Sequence, residues 1–324
     1  MLFITNRIPL QSARSKVGRH IGFNYQNTDV SKWLYFCERY GENDYTEVTS
    51  QPFFSRLKSL PTGTQLLFYI HGFDNNMEPD IFRRAQQLQH LLDEQMDSQK
   101  RARVLVIPLI WPCDDDSKLH IVDDYWDDQK AADYSGIAFA RLLCKFDDWR
   151  RAGEQQTEPC LRRMNLLAHS MGNRILVNAL QSWVEELGLG AMPMMFRNIF
   201  MIAADVENHI LDPEHRGRYV LDAAKNTVVY YASDDLAMSA SKVANLRHIT
   251  CSRRLGMTGL ESISKLSAKR VFEFDCDSFN NRLDPPLGHS YFLTNQSGEV
   301  SPIIPHIAKA IETGCVSLNW LAND

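Results

Sequence analysis

Leu166-Leu167-Ala168-His169-Ser170-Met171-Gly172-Asn173 is an apolar run that ends in a serine set between small residues, and a helix-forming segment follows it to about Trp183. This order reads as a nucleophile elbow, where a buried strand turns sharply into a helix and holds one serine hydroxyl at the top of a sheet. The turn strains the serine backbone, so the positions two before and two after it must be small. Ala168 and Gly172 meet that need. Ala168 stands where the usual pattern has glycine, and its methyl is the smallest departure available.

About 100 residues upstream, a second apolar run, Gln65-Leu66-Leu67-Phe68-Tyr69-Ile70, stops at His71-Gly72-Phe73. In a site of this kind the loop after such an early strand supplies one backbone N–H to the reacting oxygen, and the residue after the nucleophile supplies the other. The donors are therefore read as the amides of Met171 and of Phe73 or Gly72. A serine hydroxyl is a weak nucleophile at neutral pH, so an imidazole must take its proton and a carboxylate must hold that imidazole.

The three groups are expected in the order serine, acid, histidine. Only His248, His289 and His306 lie well downstream of the elbow. His248 sits in the basic stretch Asn245-Leu246-Arg247-His248-Ile249, and His306 opens a terminal amphipathic helix. His289, in Leu287-Gly288-His289-Ser290-Tyr291-Phe292, follows the last strand and is the expected base. For the acid, Asp205, Asp234, Asp235, Asp275 and Asp277 all follow strands. Asp235 is preferred because it follows the strand before the histidine's and starts a helix, with Asp234 left beside it as the alternative.

Here the chain resembles the bacterial α/β hydrolases grouped under an unknown-function heading, close to the serine esterases and lipases. The matching pieces are Phe3-Ile4-Thr5-Asn6-Arg7, Tyr69-Ile70-His71-Gly72-Phe73, Trp111-Pro112, Tyr125 with the acidic pair after it, and Ala168-His169-Ser170-Met171-Gly172-Asn173. They continue through Ala203-Ala204-Asp205, Tyr231-Ala232-Ser233-Asp234-Asp235-Leu236-Ala237, Arg254-Leu255-Gly256 and Gly288-His289-Ser290-Tyr291. The resemblance implies the α/β-hydrolase fold, a triad of Ser170, Asp235 and His289, and carboxylester hydrolysis through an acyl-enzyme. Cys113 departs from it, since serine often follows Trp-Pro there. Acyl transfer, thioester or amide cleavage by the same three residues, and a non-catalytic scaffold are the competing readings.

Composition fits one α/β unit over residues 1–324. At 324 residues and 44% hydrophobic the chain can bury a large core. A net charge of −5 gives no pull toward nucleic acid. The seven cysteines lack metal-ligand spacing and read as reduced thiols, so neither metal nor cofactor is expected. The N-terminus has no charged leader, and no apolar run nears the roughly 18 residues of a membrane span, which reads as a cytoplasmic protein. Oligomeric state has no signature in the sequence.

Apolar strands near 66–70, 104–110, 164–169, 198–204, 227–232 and 270–275 alternate with helical patterns near 79–97, 131–147, 171–186, 235–245 and 303–313. That rhythm predicts a mostly parallel sheet covered on both faces. Leu2–Thr5, Ile21–Tyr25 and Tyr45–Val48 predict short antiparallel strands at the N-terminal edge. Two segments break the rhythm, near 111–130 and 239–270. Residues 113–128 carry seven aspartates against one lysine, and residues 239–270 seven Lys or Arg against one glutamate. They are expected to form a cap or lid, with Trp111, Tyr125, Trp126, Leu255 and Met257 lining the pocket of a small-molecule or lipid-like ester, or else two solvated faces that pair with each other. The aspartate run lacks the glycine and terminal glutamate of a calcium loop.

Overall fold

A computed structural model describes residues 1–25, 28–73, 75–96, 103–113, 121–188, 190–238, 253–266 and 271–319, and of residues 121–127 the backbone alone. Its strands are β1 (Leu2–Arg7), β2 (Val30–Gly41), β3 (Asp44–Glu47), β4 (Thr64–Ile70), β5 (Arg103–Ile110), β6 (Met164–His169), β7 (Phe196–Ile202), β8 (Ala224–Tyr231) and β9 (Val271–Asp275). They form one sheet in the order β3-β2-β1-β5-β4-β6-β7-β8-β9. From β1 to β9 every neighbouring pair is parallel, and β2 joins β1 and β3 antiparallel. The predicted mostly parallel sheet with an antiparallel N-terminal edge is the fold observed.

Each residue of β4 and of β6 is buried, as expected where helices cover both faces of a parallel sheet. The helices are α1 (Ser50–Ser59), α2 (Phe82–Gln95), α3 (Ile121–Arg151), α4 (Gly172–Glu185), α5 (Arg218–Ala223), α6 (Leu255–Thr258), α7 (Asn280–Leu283) and α8 (Ile303–Thr313). Side chains alternate across the sheet with period two. Leu66, Phe68 and Ile70 face a core shared with α1, α3 and α4, whereas Leu67 and Tyr69 face α2 and α8. Fully burying one such side chain stabilises the fold by about 1.5–3 kcal/mol. A third cluster packs Phe3, Phe23, Tyr35 and Tyr45 of the N-terminal edge on Phe82 of α2.

Between the sheet and helices α3 and α4 lies an apolar cavity of about 40 Å³, lined by Phe68, Leu109, Phe139, Leu166, Leu180 and Phe196 among others. Its walls offer water no hydrogen-bond partner, so a void of this kind stays dry. At the other end of the sheet from the elbow, three asparagines in register form an amide ladder: Asn226 donates to Asn198 (2.8 Å), which donates to Asn165 (2.7 Å). The same row and Gln65 bond the carbonyls of Ala310, Ile311 and Gly314 at the C-terminal end of α8, where intrahelical donors run out. The ladder docks the last helix.

One expectation needs correction. Ile21–Tyr25 is no strand: it makes single bonds on either side, Leu10 N–H to Gly22 and Ile21 N–H to Tyr45. The edge is built instead by the 12-residue β2, whose Leu34–Cys37 run is buried on both faces and so hides its alternation. The helix predicted over 235–245 begins at 236–238, and residues 239–252 lie outside those described. Among the described residues no helix is long and apolar enough to cross a membrane.

Candidate active site

The chain steps from β4 to β5 on one side of the sheet and from β6 through β9 on the other, so the strand order reverses between β4 and β6. A crevice at the carboxyl ends of strands forms at such a point. His71, Gly72 and Phe73 leave β4 there, and Ser170 leaves β6 beside them. Ser170 has φ of 51°, a left-handed conformation that costs a non-glycine residue about 1–3 kcal/mol. The surroundings hold it. Its N–H bonds Ile202 (3.0 Å), and its carbonyl accepts the N–H groups of Asn173 (3.1 Å) and Asp205 (3.2 Å). The Asn173 amide adds bonds to Ala168 and Ser170 (3.0 and 3.1 Å).

The small residues around the elbow have specific reasons. A Cβ on Gly172 would lie 2.7 Å from the carbonyl oxygens of both Ile70 and His71, so the helix can meet β4 only as glycine. One on Gly72 would lie 2.8 Å from Ser170 Cβ and 3.0 Å from His169 Nδ1. The close approach expected of Gly72 is therefore directed at the serine itself.

His289 and Asp235 are brought together. The His289 Nδ1–H donates to Asp235 Oδ2 at 2.7 Å, and the carboxylate is fully buried. Its other oxygen accepts the Met238 N–H at 2.9 Å, capping its own turn. Asp234 points elsewhere, accepting bonds from Asn280 (2.6 Å) and Asn281 (2.5 Å). Asn280 also bonds the Gly288 carbonyl (3.2 Å), and Asp284 accepts the N–H groups of His289 (2.9 Å) and Ser290 (2.6 Å). Asp234 thus anchors the histidine loop. Among the described residues no hydrogen bond joins the Ser170 hydroxyl to His289. Such contacts often close only when a substrate is bound.

Of the other candidates, Asp205 lies 3.4 Å from the Arg254 guanidinium, both buried, and Asp277 bonds Ser233. His306 is buried, with Nδ1 against Tyr230 (2.6 Å) and Nε2 against the Ser317 carbonyl (3.0 Å), the structural role expected of it. His248 lies outside the described residues.

His71, which the sequence offered only as the start of a turn, organises the facing loop. Its Nδ1–H donates to the Gly72 carbonyl (2.9 Å), its Nε2 accepts the Trp111 N–H (3.2 Å), and its ring stacks on the Trp111 indole at 5.1 Å. The indole N–H returns a bond to the His71 carbonyl (3.0 Å). Asn75 also donates to Gly72 (3.2 Å), and the Cys113 thiol donates to Asn75 (3.1 Å). Buried Arg7 donates to the Cys113 carbonyl, which ties the Trp111–Cys113 turn to β1. Peptide planarity sets a carbonyl and the next N–H in opposite directions, so fixing the Gly72 oxygen also aims the Phe73 N–H. Met171 stands at the N-terminus of α4, where N–H groups lack intrahelical partners. Burial, far more than any charge, pushes the His71 pKa down to about 3, so its ring is neutral.

The expected pocket residues fare differently. Trp111 and Leu255 are 0% exposed, one stacked behind His71 and the other in the core shared with α4, so neither offers surface to a substrate. Both are corrected to supporting residues, and neither lines the apolar cavity. Met257 is half-buried on α6. The side chains of Tyr125 and Trp126 lie outside the described residues, as do 114–120 and 267–270 of the cap segments. The described part of the second segment is tied down by Leu255 N–H to Val206 (2.8 Å) and Gly256 N–H to Ala204 (2.9 Å).

A family model described as "Alpha/beta hydrolase of unknown function (DUF900)" matches residues 47–304. Among solved structures, an esterase from Pyrobaculum calidifontis in a monoclinic form aligns with 14% identity and a TM-score of 0.31, over 78% of this chain and 77% of its own. A search of curated proteins gives no match.

Proposed function

The chain belongs to this family of α/β hydrolases, and we propose that it is a serine hydrolase cleaving carboxylic esters through an acyl-enzyme. One observation carries the reading: the buried Asp235 carboxylate bonds His289 Nδ1 at 2.7 Å, on a loop beside a serine held at positive φ where the strand order reverses. Asp235 keeps the His289 proton on Nδ1, which leaves Nε2 as the base. His289 takes the Ser170 proton as the oxygen attacks the ester carbonyl. The N–H groups of Met171 and of Phe73 or Gly72 hold the oxyanion, and loss of one such donor costs about 10²–10³ in rate. His289 then gives the proton to the leaving alcohol, and water releases the acid by the same route. No cofactor enters this chemistry.

The test is labelling by a fluorophosphonate, with burst kinetics on p-nitrophenyl esters from acetyl to palmitoyl, in the wild-type protein and Ser170→Ala. Labelling and a burst that both vanish in the variant support the reading. A wild-type protein with neither is a scaffold, and predominant transfer to added alcohols makes it an acyltransferase.

A further inference from the structure

His169, next to the nucleophile, has no role in the chemistry proposed above, yet its ring lies against the His289 loop on one side and Gly72 on the other. It is 1% exposed. Its centroid lies 4.9 Å from the His289 ring and 4.9 Å from Phe292, three residues along the same loop. Its Nε2 lies 3.2 Å from the His289 carbonyl, an acceptor, so Nε2 carries the hydrogen. That assignment leaves Nδ1 as a bare lone pair, buried without a partner and turned toward Gly72, where a Cβ would come within 3.0 Å of it. The ring therefore wedges between the loop that carries the base and the loop expected to carry an oxyanion donor, while its own backbone leads into Ser170.

Burial, His289 and Arg84 all push the His169 pKa well below that of a free histidine. A neutral ring is what the place requires. A cation packed beside His289 would oppose the imidazolium that must form there, and a protonated Nδ1 would be a buried charge with no partner. The other titratable groups facing this region are Arg84 of α2, which bonds Ser290 (3.2 Å), and the neutral His71.

We propose that His169 is a positioning residue: its Nε2–H grips the His289 main-chain carbonyl and its ring face sets the tilt of the His289 imidazole against Asp235 and Ser170. The proposal rests on the triad reading for its kinetic consequences but has a readout that does not. In His169→Phe the ring packing is kept and the donor is lost, whereas His169→Gln restores an amide donor near the same place. Losing one hydrogen bond that aligns the base is expected to lower kcat about tenfold with KM unchanged, and Gln to recover most of it. The spectroscopic signature is the far-downfield proton resonance of the His289 Nδ1–H, which should weaken or shift in His169→Phe and return in His169→Gln. Melting curves at pH 7.5 establish that both variants fold.

A His169→Phe protein that melts earlier but keeps the wild-type rate and downfield resonance has lost packing only, and the positioning role is overturned. Failure of the wild-type protein to label refutes the triad reading alone, because the resonance still reports whether His169 holds His289.

Discussion

Acidification should destabilise this protein through His71 before its carboxylates titrate. The ring is fully buried, and burial lowers its pKa to about 3, against 6.5 in an unfolded chain. Above pH 6.5 neither state binds the proton, so the full stability is present. Below it the unfolded chain gains a proton that the fold refuses, and stability falls with a slope of about 1.4 kcal/mol per pH unit until the folded pKa is reached. At pH 5.5 the loss from His71 alone is about 1.4 kcal/mol, and at pH 3 and below it approaches 5 kcal/mol. His169, lowered for the same reason, adds in the same direction. Since a domain has only about 5–15 kcal/mol to lose, the effect is measurable by urea unfolding at pH 7.5 and 5.5, a window in which unfolded Asp and Glu stay ionised. His71→Gln keeps a donor and an acceptor but cannot titrate. It should be less stable at pH 7.5 and flatter by one proton over the window. A His71→Gln protein with the wild-type pH slope would refute the reasoning.

The assignment of the acid can be tested with two neighbours: Asp235→Asn should lower kcat on an ester by about 10⁴, by analogy with loss of the acid from a serine triad, while Asp234→Ala, which frees Asn280 and Asn281, should cost about tenfold. Gly172→Ala sets a methyl 2.7 Å from two carbonyl oxygens and should destabilise the fold by about 1–3 kcal/mol, read as a lower melting temperature. Asn198→Leu breaks the amide ladder and strands the Asn165 oxygen that it serves. A loss of about 1–3 kcal/mol is expected in denaturant unfolding, with esterase kinetics unchanged because the ladder lies far from the elbow.

What could be read from the chain and what could not divide along a physical line. The elbow is legible because its demands are local: a buried strand, a small residue on each side of the serine, and a helix directly after. The parallel sheet is legible because strands covered on both faces must be apolar throughout, as β4 and β6 are. β2 is buried on both faces only over Leu34–Cys37, and its ends carry polar and charged residues without alternation, so neither pattern marks the whole strand. Asp234 and Asp235 could not be separated by sequence because consecutive residues point to opposite sides, one to the Asn280 and Asn281 amides and one to His289. His71 and His169 escaped for a further reason. Their partners are main-chain groups, the Gly72 and Trp111 backbones for one and the His289 carbonyl 120 residues away for the other, and a backbone acceptor leaves no trace in residue type.

That division has a consequence for how the site is held. Ser170 is set by backbone geometry, pinned through Ile202, Asn173 and Asp205 on adjoining elements. His289 rides on a loop held mostly by side chains, with Asp284 on two N–H groups, Asn280 between Asp234 and Gly288, and His169 beneath the His289 carbonyl, beside the main-chain bonds of Gly288 N–H to Asp284 and Leu236 N–H to Leu287. Side-chain anchors yield one hydrogen bond at a time, whereas the elbow yields only if strands separate. Loosening of this site under mild denaturant or acid should therefore begin at His289 and reach Ser170 last, so turnover should fade before the serine loses its strained conformation.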